Sequence, residues 1–210
     1  MSGHIRVEHA TKKYKDQTVL NDICVDFPSG QTHGLIGRNG SGKTMLFKCI
    51  CGFVPLTSGA IYIDDRQIGK EFDVPQNIGI IIETPGFLPG YSAFRNLSFL
   101  ASIQKKADTN RIREVIELVG LDPDSRKHVG NFSLGMRQRL GIAQAILENP
   151  DILLLDEPMN GLDNRGVADM RLLLQQLKRE GKTILLASHN RDDIALLCDT
   201  VHEMDSGGVV

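Results

Sequence analysis

The chain has 210 residues, 41% of them hydrophobic, with 24 Lys and Arg against 26 Asp and Glu for a formal net charge of −2. That length predicts one domain with a substantial core and room for an inserted subdomain. The even mixture of acids and bases argues against a large basic nucleic-acid footprint, and apolar runs such as Ile152–Leu155 fall far short of the roughly 20 residues of a membrane span.

Ile23, Val25 and Phe27 alternate with polar neighbours and predict a half-buried strand. His33–Ile36 predicts a second strand that runs into a glycine-rich loop, and Met45–Ile50 a helix beyond it. Ile61–Ile63, after a Thr-Ser-Gly turn, and Ile78–Ile82 are further predicted strands. The period then changes. Phe94, Leu97, Leu100 and Ala101 recur at helical spacing. So do Ile112, Val115, Ile116 and Val119, closed by Gly120. Met136, Leu140, Ala143 and Leu147 form a third such set, stopped by Asn149-Pro150. Residues 84–149 are therefore expected to be all-helical.

Strands then return. Ile152–Leu155 is continuously apolar, the pattern of a strand covered on both faces. A helix with Val167, Met170, Leu173, Leu174 and Leu177 inward ends at Gly181. A buried strand at Thr183–Ala187 and a last one at Val201–Met204 follow. The predicted architecture is an α/β core at 1–83 and 150–210, interrupted by a helical subdomain at 84–149. Lys12, Lys13 and Lys15 read as a solvated edge. Cys24, Cys49, Cys51 and Cys198 form no C-x-x-C pair and read as buried, reduced thiols rather than zinc ligands. No signal-peptide pattern opens the chain, so any service to a membrane is expected from the water side.

Three motifs carry chemistry. Residues 37–44 read G-R-N-G-S-G-K-T, a full match to G-x-x-x-x-G-K-[ST] between a predicted strand and a predicted helix. Its glycines let successive backbone N–H groups point at a polyphosphate. Gly37, Arg38, Asn39, Gly40, Ser41, Gly42, Lys43, Thr44 and Met45 are the candidate phosphate-binding set. Lys43 can reach the β- and γ-phosphates, and the Thr44 hydroxyl can bind Mg²⁺. This loop alone leaves kinases, GTPases and ATPases open. Residues 151–158 read D-I-L-L-L-D-E-P, a core strand that delivers Asp156 and Glu157 at its end. Their side chains point different ways, Asp156 toward a metal and Glu157 toward an attacking water as base. The third motif, F-S-L-G-M-R-Q-R at 132–139, opens a helix with Ser133 as its N-cap.

Together these motifs resemble those of ATP-binding cassette (ABC) ATPases, whose signature has the usual form L-S-G-G-Q. Here Phe132, Leu134 and Met136 depart from that form, while Ser133 and Gly135 keep their places. The resemblance spans nearly the whole chain, from Tyr14 through the phosphate loop, Glu83, the signature, Asp156-Glu157 and Gly161-Leu162-Asp163 to His189. It implies a P-loop NTPase core with an N-terminal antiparallel β subdomain and an inserted helical subdomain. It implies an ATPase that uses ATP and Mg²⁺, with Tyr14 stacking on adenine unless it is only a strand-end aromatic. It further implies a head-to-tail homodimer in which Ser133 and Gly135 meet the ATP held by the other subunit. Asp163 would lie at the seam, and His189 would contact the γ-phosphate beside Lys43 and Glu157. Most such cassettes have Gln where this chain has Glu83. That departure, within I-I-I-E-T-P-G-F, and the S-L-G-M-R-Q-R-L-G-I-A run are similar to bacterial bacitracin- and lantibiotic-type peptide exporters. An ionised glutamate only accepts hydrogen bonds and can ligate Mg²⁺ with Thr44 and Asp156. Thr84–Tyr91 would dock a separate transmembrane permease at the cytoplasmic face of the cell membrane unless it packs inside the helical insert, and no nucleic-acid partner is expected. The competing reading is a soluble ABC ATPase of repair or translation type. The absence of sustained heptads and the single phosphate loop weigh against it.

Overall fold

The computed structural model describes residues 2–83 and 85–210. Two sheets organise the chain. The first is antiparallel, with β2 (Gln17–Phe27), β1 (Ile5–Tyr14), β4 (Ser58–Ile63) and β5 (Arg66–Gln67) side by side. Ile5, Val7 and Ala10 of β1 are buried, so the strand has a core face, but the alternation skips between Val7 and Ala10. Val7 pairs with Val25 and Ala10 with Ile23, which leaves Glu8 and His9 opposite Cys24 alone. This bulge breaks the period of two and is why β1 is not readable from its sequence. Ser58 and Gly59, expected in a turn, belong to β4.

The second sheet runs β10 (Gly208–Val209), β9 (Thr200–Asp205), β3 (Thr32–Ile36), β8 (Thr183–Ala187), β7 (Ile152–Asp156) and β6 (Ile78–Ile81). It is parallel from β9 to β6, with β10 an antiparallel edge. The apolar run of β7 serves both faces. Ile152 and Leu154 pack with the first sheet and α1 (Lys43–Ile50), while Leu153 and Leu155 pack against the helices of the other face. Each such fully buried side chain contributes about 1.5–3 kcal/mol, and the alternation explains why no polar residue interrupts the strand.

The helices of that other face are α2 (Ala93–Gln104), α3 (Thr109–Leu118), α4 (Leu134–Ile146), α5 (Asn164–Arg179) and α6 (Arg191–Leu197). Ser92, Asp108, Ser133, Asp163 and Asn190 cap their N-termini through side-chain oxygens. Between β6 and β7 the chain is not all-helical. Residues 85–92 form no regular element, because Pro85, Gly86, Pro89 and Gly90 oppose one, and Val129–Asn131 is a single 3₁₀ turn. Thr84 lies outside the described residues. Cys49 and Cys51 are buried and Cys198 half-buried, but Cys24 is exposed, which corrects the expectation of four buried thiols. Burial pushes the Cys49 thiol up to about 11 and those of Cys51 and Cys198 up to about 12, so these three stay protonated. Among the described residues no helix is long and apolar enough to cross a membrane.

Candidate active site

Adjacent parallel strands deliver the chemistry at one end of the second sheet. β3 ends at Ile36 and runs into the 37–42 loop. Gly42 is the N-cap of α1 with φ 109°, a left-handed conformation that suits glycine. Lys43 is buried, and its Nζ donates to the carbonyls of Gly37 (2.7 Å) and Arg38 (3.2 Å). The lysine thus arches over its own loop. From the end of β7, Asp156 Oδ2 accepts the Thr44 hydroxyl at 2.5 Å across 112 residues of sequence.

Burial pushes the Asp156 carboxyl above the usual carboxylate range. The Thr44 hydrogen bond and Lys43 pull it down, and the charges of Glu157 and Glu83 push it further up. A folded-state pKa above the unfolded one gives stability that is complete below the ordinary carboxylate pKa and is lost as pH rises through the raised value. At neutral pH the ionised Asp156 therefore costs stability, a cost that a cation bound there would offset.

Glu157 follows in a left-handed conformation, φ 50°, which is uncommon for a non-glycine residue. Its N–H donates to the Ala187 carbonyl of β8 (2.9 Å). Its Oε1 accepts the His189 N–H (3.0 Å) and lies 2.9 Å from His189 Nδ1. Gln138 of α4 donates from Nε2 to the Pro158 carbonyl at 3.0 Å, so α4 fixes the turn behind the carboxylate. Glu83, also left-handed at φ 61°, lies just past β6 and pairs with Lys48 Nζ at 2.5 Å.

These groups line one cavity of about 690 Å³. Asn39–Met45, Glu83, Asp156 and Glu157 all reach its wall, together with Val19, Lys48, Asn160 and, from α4, Leu134, Arg137 and Gln138. Gly37 and Arg38 support the wall through the carbonyls that hold Lys43. Among the described residues, Ser41 Oγ and Arg137 Nε are buried there without a hydrogen-bond partner. His189 joins the site through Glu157. Tyr14 is not among the lining residues. It is 47% exposed, with Lys12 Nζ 4.8 Å from its ring centroid. Ser133 and Gly135 also stand outside the wall. Ser133 is exposed and caps α4 by accepting the Met136 N–H at 3.2 Å. Gly135 packs on Gly161, so close that an added Cβ would lie 2.8 Å from the Gly161 carbonyl oxygen.

Sequence reasoning assigned no role to Lys48, Gln138 or Asn160. Lys48 lies one turn beyond Thr44 and Gln138 lies inside the third motif, so helical spacing was the available signal. The arrangement can cradle a polyphosphate on backbone N–H groups and a cationic lysine. It can hold a hard divalent cation between a hydroxyl and a carboxylate, and present a second carboxylate to water.

The model of the ABC transporter family matches residues 20–160. The uncharacterised ABC transporter ATP-binding protein YybJ of Bacillus subtilis (strain 168) is 48% identical over 203 residues, covering 97% of this chain and 93% of that protein. The bacitracin transport ATP-binding protein BcrA of Enterococcus faecalis is 38% identical over 208 residues, covering 98% of this chain and 68% of that protein. Among solved structures, dimeric MJ0796, a bacterial ABC transporter cassette, superposes with a TM-score of 0.89 at 23% identity, covering 98% of this chain and 96% of that one. The likeness to MJ0796 is one of fold.

Proposed function

The chain belongs to the ABC transporter family as an ATP-binding, ATP-hydrolysing subunit, and we propose that it powers a separate transmembrane subunit exporting peptide antibiotics or drugs from a bacterial cell. The observation that carries the ATPase chemistry is the 2.5 Å contact between Thr44 and Asp156 in one cavity with Glu157. It joins the phosphate loop to the end of β7 at the spot where a polyphosphate would lie. Lys43 would leave the Gly37 and Arg38 carbonyls for the β- and γ-phosphates. Glu157 would accept a proton from the attacking water, with His189 orienting its carboxylate and reaching the γ-phosphate. The orphan Ser41 hydroxyl would find its partner on the nucleotide.

The donor set also fits Mg²⁺, a hard cation that takes oxygen ligands. Thr44 and Asp156 would hold it, and when bound it would neutralise developing phosphate charge. Glu83 would join them after exchanging its Lys48 partner for the metal. Magnesium titrations of ATP binding test this set. Both Glu83→Gln and Asp156→Asn are expected to raise the Mg²⁺ requirement, and Asp156→Asn is also expected to raise the melting temperature of the nucleotide-free protein, because a buried charge is removed. An unchanged Mg²⁺ dependence in Glu83→Gln would leave Glu83 without a metal role.

Ser133, Gly135 and Asp163 would meet ATP across a head-to-tail homodimer, and Tyr14 would stack on adenine at the outer rim. Ser133 and Asp163 are exposed, and the Gly135–Gly161 contact places both of their turns on one surface, which supports that reading. The helical subdomain would span residues 84–149, and the chain would work at the cytoplasmic face of the membrane. Its docking loop would be 84–91, where Leu88 is 50% and Tyr91 44% exposed, an apolar presentation suited to a short partner helix. Affinity purification of tagged protein from detergent-solubilised membranes, with mass spectrometry, tests the transport reading. A polytopic membrane protein is expected and should be lost with Leu88→Asp. Recovery of ribosomes or repair complexes instead would favour a soluble ABC ATPase.

A further inference from the structure

The bulge between β1 and β2 brings three different metal-binding side chains to one solvent-facing spot, away from the nucleotide cavity. His9 sits on the bulged strand at φ 49°, and Asp22 faces it from β2 at φ 51°. His9 Nδ1 lies 2.9 Å from Asp22 Oδ1 and 3.6 Å from Cys24 Sγ. The donor atoms of all three residues lie within 4.8 Å of one another. In a tetrahedral site with Zn–N near 2.0 Å and Zn–S near 2.3 Å, adjacent N and S ligands stand roughly 3.5 Å apart. The His9–Cys24 spacing already has that value, and Asp22 needs to open from its hydrogen bond by only a few tenths of an ångström.

We propose that His9, Asp22 and Cys24 form a surface site for a thiophilic divalent cation, of which Zn²⁺ is the best fit. Thiolate and carboxylate together balance a charge of +2, and the imidazole adds a neutral donor. On binding, the Cys24 thiol gives its proton to solvent while Sγ donates an electron pair to the metal. The His9 backbone N–H, 3.2 Å from Sγ, already points at that sulfur and would stabilise the thiolate. Asp22 is tied in place by its own N–H, which donates to Thr11 Oγ1 at 3.1 Å. All three residues are exposed, so water can complete the coordination sphere. An exposed His–Asp pair by itself is worth little to stability, and the convergence of the cysteine on the same nitrogen is what distinguishes the cluster. Sulfur and imidazole select against Mg²⁺, so the site is chemically independent of the nucleotide pocket. No Cys/His spacing motif marks it, since His9 and Cys24 meet only through the strand pairing.

Co²⁺ serves as the optical probe. The metal-stripped protein titrated with Co²⁺ is expected to develop a sulfur-to-cobalt charge-transfer band that saturates at one metal per chain. Zn²⁺ should abolish the band, and saturating Mg·ATP should leave it in place. Cys24→Ser should lose the band, and His9→Ala and Asp22→Asn should each weaken binding roughly tenfold or more, with unchanged thermal melts because the positions are exposed. The proposal is overturned if no band forms, if it survives Cys24→Ser, if His9→Ala and Asp22→Asn bind as wild type does, or if saturation comes at one metal per two chains.

Discussion

Replacing Glu157 by Gln is expected to lower ATP turnover by roughly 10²–10⁴-fold, the usual contribution of a general base, while ATP binding persists. The substitution keeps the shape of the side chain. A glutamine oxygen can still accept the His189 N–H that now meets Glu157 Oε1 at 3.0 Å. The backbone anchor to Ala187 is untouched, so the left-handed turn should stand. What disappears is a group able to take a proton from water. ATP should then bind without being consumed, and dimers that wild-type turnover would dissolve should accumulate. Phosphate release by the purified variant and gel filtration with and without Mg·ATP measure both effects. Wild-type turnover would remove Glu157 from the role of base.

A large loss of stability is expected from Gly79→Ala. Gly79 lies on β6 where α4 crosses it, and a Cβ there would collide with the Ala145 backbone carbonyl and come within 2.8 Å of Leu153 Cδ2. The obstructing atom is the main chain of a helix, so no rotamer change relieves the overlap and α4 must move as a unit. Overpacking of this kind costs about 3 kcal/mol, or roughly 6–12 °C in melting temperature for a chain of this size. Because α4 also carries Gln138, the turn behind Glu157 should loosen and residual activity should fall with it. Gly90→Ala is the control, since among the described residues nothing lies within 4 Å of its added Cβ and its melt should shift by less than about 0.5 kcal/mol. Equal melts for the two variants would mean that α4 does not press on Gly79.

Much of this was legible in the sequence, for reasons that differ by element. The buried parallel strands announced themselves because β7 and β8 are covered on both faces, and continuous apolar runs have few other uses. The phosphate loop and Asp156-Glu157 were legible because each sits at a strand end fixed by its neighbours in sequence. The first strand was hidden, since its bulge at Glu8-His9 breaks the alternation that a strand is recognised by. The loop at 85–92 was absorbed into a helical reading although its prolines and glycines argued otherwise. Tyr14 shows the other limit. Position along the chain suggested a ring over the nucleotide, but where that ring points depends on a hairpin whose conformation local sequence does not fix. Lys48 and Gln138 matter through contacts with Glu83 and the Pro158 carbonyl, and contacts across that much sequence are set by tertiary structure alone.

The strand that feeds the phosphate loop has a further consequence, for the order in which the protein is made. β3 is hydrogen-bonded on one side to β8 and on the other to β9. A ribosome-bound chain that has emerged as far as α5 therefore carries a β3 that still lacks both of its strand partners. Contacts of such long sequence separation are slow to close, and an unpaired strand edge in the interval invites association with other chains. The nucleotide cradle cannot set until Thr183–Asp205 have been synthesised and inserted around β3. ATP binding by a nascent chain would accordingly report that β8 and β9 have taken their places on either side of β3.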